Sequence, residues 1–163
     1  MSTVSSTHIT HYREEGYCLI PNLIPQPSIE AARLRALQIG QQLAPWPSSH
    51  FQVLDPKRYR SENDTPLPAG IQRPASQETV FADVADQANL TEAMAALLGD
   101  PVERFTDQIG IKHGTLNEAQ GGCSYYHQDS YYWKIAPELG CNCWIPLTSV
   151  GTDASALAIM PKT

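Results

Sequence analysis

Apolar positions recur at helical intervals through residues 1–100 and at every second position beyond residue 101, so the chain reads as helices followed by strands. Residues 8–15 suit a short helix, with Thr7 as its cap and Gly16 as a left-handed terminator. Residues 17–20, Tyr17-Cys18-Leu19-Ile20, follow as a strand. Pro25 and Pro27 then introduce a longer helix reaching about Leu43. Ile29, Ala32, Ala36, Leu37 and Leu43 share one face of it, and Glu30, Arg33 and Arg35 lie mostly off that face. A third helix carries Leu90, Met94, Leu97 and Leu98. Asn89 and Glu92 form a variant capping box at its start, and Gly99 closes it.

Residues 45–76 interrupt this pattern with nearly half of the chain's 13 prolines and with neither helical nor alternating periodicity. They read as a long loop, either a substrate lid or a surface excursion. Beyond it Phe105, Ile109 and Ile111 mark a strand with one buried face. Further strands are expected around residues 123–127, 141–147 and 156–160. In the second of these, Cys141, Cys143, Ile145 and Leu147 alternate with Asn142, Trp144 and Pro146. The predicted class is α+β or mainly β, with N-terminal helices packed on a jelly roll of which about half is present. Residues 1–163 would form one domain, 1–100 its helical part and 101–163 its first strands.

A chain of 163 residues with 42% hydrophobic and 17% charged positions can bury one sizeable core. A net charge of -6 and scattered basic residues argue against a nucleic-acid partner. The sequence has no apolar run of the roughly 20 residues that a membrane-spanning helix needs, nor an N-terminal signal pattern, so a cytoplasmic location is expected. In that compartment Cys18, Cys123, Cys141 and Cys143 are expected as reduced, buried thiols. A zinc site built from Cys123, Cys141, Cys143 and His113 is the alternative, although C-x-C is not a zinc-ribbon spacing.

The stretch that carries chemistry is Tyr125-Tyr126-His127-Gln128-Asp129-Ser130-Tyr131-Tyr132-Trp133. On extended backbone, positions two apart project from the same face, so His127 and Asp129 can reach one ion together. An imidazole with a carboxylate suits Fe(II), whose facial triad of two His and one carboxylate leaves positions open for other ligands. A hydrogen-bonded structural pair is the other reading of H-x-D. The surrounding aromatics either wall a substrate pocket, chiefly through Tyr126, Tyr131 and Trp133, or pack the mouth of a barrel.

Several segments fall into a familiar order. They are Asp107-Gln108-Ile109-Gly110-Ile111-Lys112, His127-Gln128-Asp129, Asn142-Cys143-Trp144-Ile145-Pro146-Leu147 and Leu157-Ala158-Ile159-Met160-Pro161, preceded by the opening His11-Tyr12-Arg13-Glu14-Glu15-Gly16-Tyr17. In combination they resemble the phytanoyl-CoA dioxygenase family of Fe(II)/2-oxoglutarate-dependent oxygenases. The resemblance implies that His127 and Asp129 bind iron, and that Lys112, Gln128 and Trp144 contact the cosubstrate 2-oxoglutarate. It implies hydroxylation by O2 of a small organic molecule or acyl thioester. With Asp129 present as a ligand, hydroxylation is expected rather than halogenation. For Lys112 the plain alternative is a solvated strand-end lysine, and for Trp144 a core tryptophan.

The family pattern continues with a second histidine and then an arginine that anchors 2-oxoglutarate. Residues 130–163 contain neither His nor Arg, so the chain is expected to be a C-terminally truncated member. His8, His11 and His50 fall in the helical part or the loop, and His113 lies at a strand end. Two rival functions stand beside the oxygenase. One is a catalytically incomplete binding or structural domain, and the other is a cupin metalloprotein that does not use 2-oxoglutarate.

Overall fold

A computed structural model describes residues 4–41, 45–53, 68–112, 126–136, 139–151 and 156–162. The expectations for Leu43, His113, Cys123 and Tyr125 therefore lie outside the described residues. Helices and a small antiparallel sheet make the chain α+β. It divides into two compact units. One comprises Met1–Gln26, Asp86–Glu103 and Ser124–Thr163, the other Pro27–Ala85 and Arg104–Cys123.

In the first unit, α1 (Ser6–Glu15) starts from Ser5 rather than Thr7. Ser5 Oγ accepts from the His8 backbone N–H at 3.3 Å, while His8 Nδ1 accepts from the Ser5 N–H at 3.2 Å. This is a capping box with an imidazole where a carboxylate usually stands. Gly16 ends α1 at φ 83°. There its backbone N–H donates to Tyr12 O at 2.9 Å, a left-handed closure that favours glycine. Helix α4 (Ala88–Leu98) begins after Gln87 with no side-chain cap, so the expected Asn89 and Glu92 box is not used, and Gly99 closes it at φ 87°. Leu90, Ala93 and Leu97 bury against Val4 and Leu23, with Ile9, Tyr12, Cys18, Ile20 and Ile145 packed around them.

This core explains why residues 17–20 form no strand. Cys18 and Ile20 face the core while Leu19 points outward, so the alternation is present. It is satisfied by packing against helices, and no ladder is needed. Residues 141–147 behave alike, Cys141 and Ile145 turning inward without strand pairing. Residues 156–160 also lack strand pairing and are exposed, with Lys162 beyond them holding Glu15 through a backbone bond of 3.0 Å and a side-chain contact of 3.3 Å. Tyr126 and His127 are likewise outside any strand. The short helix α5 (Asp129–Trp133) follows them.

In the second unit, α2 (Gln26–Gly40) buries Ala32, Ala36, Ile39 and Gly40. The expected stripe is rotated: Leu37 is 41% exposed and Ile39 fully buried. Gly40 lets Ile111 approach, since a Cβ there would stand 3.2 Å from Ile111 Cδ1. The sheet order is β1 (Phe51–Val53), β2 (Pro68–Gln72), β3 (Gln108–Gly110), all antiparallel. Ile71 is fully buried in the central strand, opposite Phe51 on one side and Ile109 on the other.

Two of these three strands come from residues 45–76, which were expected as loop. Strands of three and five residues are too short to print a period, and Pro68 is tolerated because it opens its strand. Of residues 101–163, expected as the first strands of a jelly roll, only Gln108–Gly110 is strand among the described residues, and Phe105 lies outside it, exposed. Helix α3 (Thr79–Ala85), too short for its period to show in the sequence, buries Phe81 and Val84. Asp107 ties the turn before α3 to the strand region. Its carboxylate accepts from Ala75 N at 2.8 Å and Arg104 Nη1 at 2.6 Å. No described helix is long and apolar enough to cross a membrane.

Candidate metal centre

His127 and Asp129 flank Gln128, whose backbone is extended at φ -112° and ψ 129°. That one extended residue suffices to bring both side chains to one side, although Asp129 opens a helix and not a strand. His127 Nε2 stands 3.5 Å from Asp129 Oδ1, and both side chains are a little under half exposed. The separation exceeds an ordinary N–H to oxygen hydrogen bond. It is close to the roughly 3.0–3.5 Å between two donors on one ion when each bond is about 2.1 Å. At 3.5 Å the pair stands at the outer limit both of a direct ion pair and of two donors on one ion.

Two neighbours orient the pair. Asn142 Nδ2 donates to Asp129 Oδ2 at 2.7 Å, a short bond of the charge-assisted kind. Tyr132 lies on the same face of α5 as Asp129 and meets the His127 ring edge-on, with centroids 5.7 Å apart and planes at 74°. Tyr131 packs edge-on against Tyr132 at 5.3 Å. Asn142 stands within one of the family-like segments, and local sequence gives it no role of its own. The available signal was a lone polar amide between two cysteines, on a segment already paired by resemblance with His127-Gln128-Asp129.

The remaining candidates are exposed. Gln128 is exposed at the cap of α5, and its carbonyl accepts from Tyr131 N at 3.1 Å. Trp144 is 46% exposed and so is not a core tryptophan. Tyr126, Tyr131 and Trp133 are exposed, Tyr131 at 81%. Lys112 follows β3 in the second unit, whereas His127, Asp129 and Trp144 belong to the first. Cys18, Cys141 and Cys143 are free thiols, and no group of three or more His, Cys, Asp or Glu among the described residues could hold a metal ion. Cys123 and His113, the other two ligands of the zinc alternative, lie outside the described residues.

The model of the phytanoyl-CoA dioxygenase (PhyH) family matches residues 12–163, nearly the whole chain. The chain belongs to the phytanoyl-CoA dioxygenase family. No curated protein and no solved structure matches it. Phytanoyl-CoA dioxygenase family members are generally oxygenases of the 2-oxoglutarate-dependent type. The donor set found here, one imidazole nitrogen and one carboxylate oxygen converging from a partly open surface, fits two positions of the iron centre expected of that family.

Proposed function

We propose that this chain supplies His127 and Asp129 to the Fe(II) centre of a 2-oxoglutarate-dependent dioxygenase that hydroxylates a small organic molecule or acyl thioester. The convergence of His127 Nε2 and Asp129 Oδ1 at 3.5 Å supports the reading, together with family membership over residues 12–163. Bound iron, with O2 and 2-oxoglutarate, supplies the oxidising power for the hydroxylation. The side chains hold and orient. His127 offers a ring nitrogen and Asp129 one carboxylate oxygen, Asn142 occupies the other oxygen, and Tyr132 restrains the imidazole plane.

Lys112, Gln128 and Trp144 are the proposed contacts to 2-oxoglutarate, and Tyr126, Tyr131 and Trp133 the apolar contacts to substrate. Jelly-roll architecture and a cytoplasmic location complete the proposal. Its test is iron-dependent release of succinate from 2-oxoglutarate, measured for the full-length parent protein and for its His127→Ala form. Succinate is expected from the parent protein and only background from the variant, while the 163-residue chain, which brings two of the three ligands, is expected to give little or none. Equal turnover in the two proteins would sink the assignment of His127. Metal-dependent turnover with no 2-oxoglutarate requirement would favour the cupin reading.

A further inference from the structure

The two carboxylate oxygens of Asp129 are used differently. Oδ2 accepts from Asn142 Nδ2 at 2.7 Å, and Oδ1 faces His127 Nε2 at 3.5 Å. Rotation of a carboxylate about its terminal torsion is broad and nearly two-fold, so without a tether either oxygen, or both, can turn toward an ion. One donor fixed on Oδ2 removes that freedom. An acceptor in the same place would be repelled by the carboxylate, so the anion also fixes which end of the Asn142 amide faces it.

The donor itself stands on an anchored segment. Cys141, its neighbour, hydrogen-bonds through sulfur to Met94 Sδ at 3.4 Å and also bonds to Tyr12. Ile145 packs into the core that α1 and α4 share. Asn142 is itself exposed, so it contributes little to that core. Its side chain joins a segment held by the core to a carboxylate half open to solvent.

We infer that Asn142 is the positioning residue of this metal centre. It reserves Asp129 Oδ1 for an ion shared with His127 Nε2 and keeps Asp129 a one-oxygen ligand. The inference rests on the reading of His127 and Asp129 as ligands, and the test separates the two claims. Partners that orient ligating carboxylates typically change metal affinity 10–100-fold when removed.

The full 163-residue chain is titrated with Co(II), whose d–d absorption reports both binding and coordination number. Asn142→Leu keeps the side-chain shape and deletes the donor. It is expected to weaken Co(II) binding at least about tenfold and to shift the d–d band as Asp129 turns both oxygens to the ion. The metal-free melting temperature should stay at the parent value. Asn142→Gln, with a donor on a longer stem, is expected to bind Co(II) more tightly than Asn142→Leu. Asp129→Ala is expected to abolish the signal.

Parent-like binding and spectrum in Asn142→Leu, with Asp129→Ala silent, would overturn the positioning role and leave the metal centre standing. Parent-like binding in Asp129→Ala would overturn both. Weakened binding accompanied by a lowered metal-free melting temperature in both Asn142 variants would assign Asn142 to structure and overturn the inference.

Discussion

Cys18 and Cys141 are half-buried and Cys143 is exposed, so the thiols are not fully buried as expected, yet partial burial disfavours the charged form of all three. Burial raises Cys18. Burial also raises Cys141, with the Cys18 charge adding and the Tyr12 hydrogen bond opposing. Cys143 is pushed up to about 11, by burial around its sulfur first and then by Cys141 and Cys18, although part of the residue reaches solvent. Thiols react as thiolates, so alkylation by iodoacetamide near pH 8 is expected to be much slower in the folded chain than in denaturant. Comparing the two rates across pH checks this, with the folded profile displaced upward. The linkage has the same sign: a folded pKa above the unfolded one gives stability that is complete below about pH 8.5 and is lost as pH rises through the folded value. Residues whose role is set by their own backbone were legible in advance, Gly16 and Gly99 above all, because a left-handed helix terminus favours glycine whatever surrounds it. Ser5 was missed because Thr7 satisfies the same local rule. Only the reciprocal bond to His8 selects between them.

At the level of elements, the second unit depends on a tie between α2 and the start of α3. Arg35 Nε donates to Glu78 Oε2 at 2.6 Å and Nη2 to Oε1 at 2.5 Å, a two-pronged pair less than a third exposed on either side. The Arg35 hydrogen bond first, then its charge, holds the Glu78 carboxyl below the usual range, with burial opposing. A depressed pKa of this kind adds stability above the unfolded value of about 4.3, and that stability is lost as pH falls through the folded value. Glu78→Gln is therefore expected to lower stability by up to about 1 kcal/mol at pH 7. The difference should close as urea melts are repeated below about pH 4. Long elements with a wide apolar stripe, α2 and α4, were legible apart from a rotation of the α2 face from Leu37 to Ile39. The short strands and α3 were not. Three to seven residues carry too few periods to read, and Phe51, Ile71 and Ile109 find one another only by folding.

For the molecule as a whole, family membership spans both units, and the proposed cosubstrate contacts follow from it. Lys112→Ala is expected to raise the KM for 2-oxoglutarate roughly tenfold or more, the loss of one charged hydrogen bond, without changing Co(II) affinity. Steady-state succinate assays and the metal titration check the two halves separately. An unchanged KM would return Lys112 to a solvated lysine. The sequence alone determined what is written in neighbouring residues: the class of the chain, the glycines that stop α1 and α4, the family, and the pair His127 and Asp129, whose convergence needs only one extended residue between them. Tertiary structure decided the rest. It set Cys18 and Ile20 against helices instead of a partner strand, drew β1 and β2 out of a proline-rich stretch, and brought Asn142 to Asp129 across an intervening segment. A two-residue alternation records that one face is buried. What buries that face depends on contacts distant in sequence, and no local pattern specifies them.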